Sequence, residues 1–127
     1  MKIKSFEEIE SWKVARRLTK AIYQATGSGE FARDYGLRNQ IRRASVSILS
    51  NIAEGFERGG DKEFLQFLAV AKGSCGEVRA QLYVALDQGY LTQEVFEGLT
   101  KNVEIGQLIS GFMKYLTNSE LRGSKYR

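Results

Sequence analysis

Apolar residues recur along this 127-residue chain at spacings of three and four, in stretches separated by glycine-rich breaks. The third stretch is the most regular. Phe64, Leu68, Ala71, Cys75, Val78, Leu82 and Ala85 alternate steps of four and three without a fault. That is a heptad seam, the mark of left-handed, coiled-coil-like packing. With Asp61 placed to cap it, the seam predicts a helix over 61–89, about 40 Å long at the α-helical rise.

The second stretch predicts a helix over 34–58, closed by Gly59-Gly60. Leu37, Ile41, Ala44, Ile48 and Ile52 form its core stripe. Val46, Leu49, Ala53 and Phe56 form a second apolar patch, rotated roughly 100–140° from the first. A helix that is apolar on two sides asks for cover on two sides. A bundle this small supplies one, so the patch predicts a contact between copies of the chain. Gln40, Arg43, Ser47, Asn51 and Glu54 share a further narrow sector. Such a polar seam, if buried, must be hydrogen-bonded internally or line a wet cavity.

The first stretch predicts a helix over 6–26. Ser5-Phe6-Glu7-Glu8 reads as a capping box, Trp12, Ala15, Leu18, Ile22 and Ala25 mark the buried side, and Gly27-Ser28-Gly29 ends it. The fourth, over 92–117, places Val95, Leu99, Val103, Ile109, Met113 and Leu116 on a less regular face. Gly98, Gly106 and Gly111 there each cost up to about 1 kcal/mol against alanine, which reads either as close backbone approach or as a weaker helix. Ser119–Arg127 is polar and basic and reads as a flexible tail. Four long helices with short connections predict one all-α domain over 1–127, an antiparallel up-down-up-down four-helix bundle.

Composition narrows the chemistry. Without histidine, and with a single cysteine, the chain offers no Glu-x-x-His pair, zinc site or disulfide framework. No nucleophile–base pair stands out by spacing, so a non-enzymatic protein without cofactor or metal is expected. No apolar run is long enough to span a bilayer, and Met1–Glu10 lacks the apolar core of a signal peptide, which points to the cytoplasm rather than a membrane. Cys75 falls on the heptad seam and reads as packing, since no flanking cation or helix start is there to activate it. Gly73-Ser74-Cys75-Gly76 lacks the Gly-Lys-Ser/Thr ending of a phosphate loop, so close helix packing is the better reading.

Charge adds a polarity. The net charge of +4 lies wholly in residues 1–58, where eleven Lys/Arg face seven Asp/Glu, while 59–127 holds eight of each. Lys13, Arg16, Arg17 and Lys20 lie opposite the buried side of the first helix, and Arg33, Arg38, Arg42 and Arg43 follow. A charged face is what any soluble helix shows, but a face of one sign also fits phosphate. Arg42 and Arg43 have a competing use, holding Glu54 or Glu57 within the chain or across an interface. Ile9, Trp12 and Tyr23 share a shoulder beside the basic stripe. They read either as core periphery or as a subunit contact, where Trp and Tyr are enriched.

Several blocks carry a likeness to a known family: Phe6-Glu7-Glu8 and Trp12, Tyr35-Gly36-Leu37, Gln40-Ile41-Arg42-Arg43-Ala44, Ser50-Asn51-Ile52-Ala53-Glu54-Gly55, Phe67-Leu68 and Gly73-Ser74. The chain resembles the four-helix-bundle proteins first noticed as products of intervening sequences in bacterial 23S ribosomal RNA genes. That family includes the accessory protein of diversity-generating retroelements. Its members usually carry proline where this chain has Ala32 and Leu49, and this chain has no proline. Losing a mid-helix proline restores a backbone donor and removes a kink.

The resemblance implies a homopentameric ring and a nucleic-acid-linked accessory role, with RNA or DNA and, for the retroelement type, a reverse transcriptase as partners. The expected nucleic-acid contacts are then Lys13, Arg16, Arg17, Lys20, Arg33, Arg38 and Arg42. The expected subunit contacts are Ile9, Trp12, Tyr23, Val46, Leu49, Ala53 and Phe56. The alternative is a scaffold whose basic face docks an acidic protein partner.

Overall fold

The computed structural model describes residues 3–121, and the side chains of all of these except 102, 103 and 119–121. Every regular element among them is helical. A 3-10 turn at Phe6–Glu8 precedes α1 (Glu10–Ala25), α2 (Gly29–Arg33), α3 (Tyr35–Arg58), α4 (Asp61–Asp87), α5 (Gln93–Val103) and α6 (Ile105–Leu121).

The pairing of α3 with α4 is the spine of the molecule. All seven residues of the heptad seam on α4 are buried, and so are Ile41, Ala44, Ile48 and Ile52 on α3, while Leu37 is half-buried. The two helices run antiparallel, since Gln40 meets Gln81, Ser47 meets Ser74 and Gly55 meets Phe67. The middle of the polar seam lies along this contact and is hydrogen-bonded there, whereas Arg43 is exposed and Gln81 Oε1, beside Gln40, is buried without a hydrogen-bond partner among the described residues. Ser74 Oγ donates to Ser47 Oγ at 3.0 Å, and Asn51 Nδ2 donates to the Ser47 carbonyl at 2.8 Å and to its Oγ at 3.0 Å. At the end of the seam Glu54 accepts from Arg58 at 2.8 Å. Paired hydroxyls and amides between two apolar stripes fix the register, because a slip would bury them unpaired.

Gly55 is where the two helices come closest. A Cβ there would lie 2.6 Å from Phe67 Cβ and 2.9 Å from Phe64 Cδ1, so only glycine fits. The glycines of the fourth stretch behave otherwise. Among the described residues nothing lies within 4 Å of a Cβ at Gly98 or Gly111, and one at Gly106 would make ordinary contact with Cys75. Their effect is on helix strength rather than on approach.

Several boundaries differ from the sequence reading. The capping box does not form. Ser5 is extended and its side chain caps nothing, while Ile9 takes an extended conformation that separates the 3-10 turn from α1. The reason is burial: Ile9 is 3% exposed, and the break turns it into the core. Gly60 rather than Asp61 occupies the capping position of α4, and Asp61 is its first, buried residue. The short α2 fills what read as loop, and Asp34 caps α3 by accepting from the Leu37 backbone N–H at 3.1 Å.

The fourth stretch is two helices, and α6 runs on to Leu121. At the join, Glu104 N–H donates to Lys101 O and Gln107 N–H to Glu104 O, the tighter i→i+3 pattern. Phe96 and Leu99 are buried before the join, and Ile105, Ile109 and Leu116 after it, one position out of phase with a continuous helix. The break re-aims the apolar stripe. Val95, expected inside, is 43% exposed, and Met113 is half-buried. The expected place of Val103 in the core, and the tail beyond Leu121, lie outside the described residues.

Candidate nucleic-acid interface

The basic residues gather where acids are scarce. From Ser11 to Ala53 the chain has eight Lys/Arg and two acids, Glu30 and Asp34. Asp34 is already engaged, one oxygen on the cap of α3 and the other accepting from the Tyr90 hydroxyl at 2.9 Å. That hydrogen bond and the burial around it hold the Tyr90 phenol above its ordinary pKa. Glu54 is taken by Arg58, whose guanidinium is raised further by the contact. The competing use of Arg42 and Arg43 therefore does not operate through Glu54 within the chain.

On α1, Lys13, Arg16, Arg17 and Lys20 are all exposed, as the amphipathic phase requires, because Ala15, Leu18 and Ile22 take the inward positions. Among the described residues the one partner of these four is aromatic: the Arg16 guanidinium lies 6.0 Å from the Trp12 ring centre. Trp12 is half-buried edge-on against Phe6 at 5.1 Å.

At the α1–α3 junction the arginines are held rather than free. Arg42 is half-buried, its guanidinium 4.4 Å from the Tyr23 ring centre, and its Nε donates to Thr26 Oγ1 at 2.8 Å. Thr26 is fully buried and donates in turn to the Ile22 carbonyl. One turn earlier, Arg38 lies 4.7 Å from the Tyr35 ring centre, with Nη1 on the Ala32 carbonyl at 3.0 Å and Nε on Asn39 Oδ1 at 3.3 Å. Tyr23, Asn39, Arg42, Arg43, Val46 and Ser47 line an open notch of about 540 Å³ between α1 and α3. No carboxylate of the described residues lines it. Arg33 is exposed on α2.

Of the expected subunit contacts, Ile9 is spent on the chain's own core, and Tyr23 and Val46 border the notch. Leu49, Ala53 and Phe56 are half-buried. Leu49 and Phe56 pack against the core, Phe56 edge-on to Phe64 at 6.0 Å, so the bundle itself covers part of the second patch. The sequence reading missed Thr26, Asn39 and Tyr35. The Tyr35–Arg38 spacing of three was a legible signal for one stacked pair. Nothing in the sequence brings Thr26 or Tyr23 to Arg42.

A larger cleft of about 830 Å³ opens between α4 and the α5–α6 join, with Lys72, Gly73, Gly76, Arg79, Gly106 and Ser110 among its lining. Cys75 sits at its floor, 2% exposed, with burial raising its thiol from 9.0 to about 11 against a smaller opposing pull from Arg79. That is a protonated packing residue, as the heptad position implied, although Arg79 stands near it as a cation where the sequence pattern suggested none. Among the described residues no group of three or more His, Cys, Asp or Glu side chains could hold a metal ion, and no helix is long and apolar enough to cross a membrane.

Among the described residues every regular element is helical, and the stretch from Ser11 to Ala53 is rich in cations. The chain belongs to the 23S rRNA-intervening sequence protein family, whose model matches residues 7–111. Its fold is similar to that of a protein of unknown function from the S23 ribosomal protein family of Bacteroides thetaiotaomicron VPI-5482. The TM-score is 0.70 at 23% identity, over 82% of this chain and 94% of that one. No functionally curated protein matches the sequence.

Proposed function

We propose that the protein is a non-enzymatic accessory protein that binds nucleic acid through the α1–α3 flank, as an antiparallel four-helix bundle assembled into a homo-oligomer. The single observation that carries this reading is the run of cations from Lys13 to Arg43 with almost no acids to answer it. Unneutralised Lys and Arg on one flank attract a polyanion, and contacts to phosphate release counterions without reading sequence. An oligomer repeats the flank, so weak contacts add as avidity. The half-buried Leu49, Ala53 and Phe56 favour self-association, and family membership favours a pentamer in the cytoplasm.

The test is binding of RNA and DNA across a salt series, with light scattering to give the assembly mass against the 14.3 kDa chain. Affinity should fall steeply with salt, at a log–log slope of about −0.9 per phosphate on duplex DNA. Converting Arg16 and Arg17 to Glu should weaken binding and flatten that slope with helix content unchanged. If the wild type binds no nucleic acid in a salt-sensitive way, the second reading takes over, a scaffold docking an acidic protein partner. A reverse-transcriptase gene beside this one would favour the retroelement role, and a position within a ribosomal RNA gene the intervening-sequence role.

A further inference from the structure

We infer that the notch between α1 and α3 is a binding site for single-stranded nucleic acid, in which Arg42 takes a backbone phosphate, with unpaired bases received by the Arg42–Tyr23 pair and by the Arg38–Tyr35 pair one turn beyond the notch. This deepens the nucleic-acid reading and rests on it.

Three features carry the inference. The first is preorganisation. The Arg42 guanidinium carbon lies over the Tyr23 ring, 4.4 Å from its centre, and Nε is tied to the buried Thr26 hydroxyl. Of its five N–H donors, only the Nε–H has an acceptor within the described part of the chain. Its outer edge is therefore fixed in place and free to grip an oxyanion, at less entropic cost than a mobile lysine would bring. The second is charge. Arg43 lines the same notch, and neither Asn39, Val46, Ser47 nor Tyr23 offsets the two cations.

The third is repetition. Arg38 on Tyr35 copies Arg42 on Tyr23 one helical turn away, and Tyr35 is 64% exposed and Tyr23 43%. Two aromatic–guanidinium platforms at i and i+4 make a short ladder along one flank. Duplex bases are already stacked on one another and cannot use such platforms, whereas splayed single-stranded bases stack on aromatic rings and on guanidinium planes. A carboxylate partner would use the charge and leave the ladder without a role.

Fluorescence anisotropy with the full chain, a labelled single-stranded oligonucleotide of about 20 nucleotides and the matching duplex tests this directly. The wild type should bind the single strand about tenfold more tightly than the duplex, the order expected from stacking of one or two bases. Arg42→Lys keeps the charge but loses the planar fork and the stack. It should cost about tenfold on the single strand and less than that on the duplex, which meets only the retained charge. Tyr35→Leu, at an exposed position, should act in the same direction and serves as the comparison if Arg42→Lys loses helicity. Equal binding of both forms, unmoved by these variants, overturns the inference while leaving general nucleic-acid binding in place. No binding of either form overturns both. Dissociation of the oligomer by Arg42→Lys, seen in light scattering, would assign the notch to a carboxylate of a second copy and overturn the inference as well.

Discussion

Replacing Gly55 by alanine opposes two effects whose sizes the structure fixes. In an isolated helix the change gains up to about 1 kcal/mol of helix propensity. Here the new methyl would sit 2.6 Å from Phe67 Cβ and 2.9 Å from Phe64 Cδ1, where ordinary contact begins at 3.4 Å. Phe67 Cβ is bonded to the α4 backbone, so no rotamer change removes it. The helices must part by most of an ångström. Parting them strains a contact packed around Ile48, Ile52 and Leu68, all at 0% exposure.

Overpacking of this kind costs about 1–3 kcal/mol. The clash should win, leaving Gly55→Ala less stable by about 1–2 kcal/mol, a fall in melting temperature of about 3–10 °C. Gly73→Ala and Gly76→Ala are the internal controls. The close helix packing expected at these two glycines is absent: among the described residues nothing lies within 4 Å of a Cβ at either, both lining the cleft beside α4, so each should gain up to about 1 kcal/mol. Circular-dichroism melts and urea titrations of the three variants read the signs. Gly55→Ala at or above wild-type stability would refute the close-approach argument. Loss of stability at Gly73 or Gly76 would show that this face of α4 is covered in the assembled protein.

Two further outcomes follow from contacts already described. Cys75→Ala should lower stability by about 1 kcal/mol at neutral pH and leave nucleic-acid affinity unchanged. The folded thiol holds its proton to about pH 11 against 9.0 for an unperturbed thiol, so its contribution is complete below pH 9 and lost as pH rises towards 11. The stability gap between wild type and variant should therefore narrow over that window in melts run at stepped pH. Asp34→Ala removes the cap of α3 together with the Tyr90 hydrogen bond and should cost about 1–2 kcal/mol. Asp34→Asn, which caps comparably, should recover much of that loss, and equal losses in the two would place the effect outside the cap.

Periodicity alone determined the long helices, because burial on one side of an α-helix imposes its own spacing on the sequence. The α4 seam and the α3 core stripe are buried where their spacing put them, with Leu37 at the half-buried edge, and Gly59, at φ +81°, closes α3. The exposure of Lys13, Arg16, Arg17 and Lys20 follows from the same phase. Tertiary packing decided the rest. Ile9 breaks the start of α1 because burying it outweighs one more helical turn, a balance no local pattern records. The α5–α6 join shifts the buried stripe by one residue to bring Ile105 inward, so a search for one continuous face misplaces Val95. Gly55 stands in the sequence beside glycines that touch nothing, and only the proximity of Phe67 separates it from them. The notch is the clearest case: Arg42, Thr26 and Tyr23 lie 16 and 19 positions apart, and the antiparallel packing of α1 on α3 alone makes them neighbours.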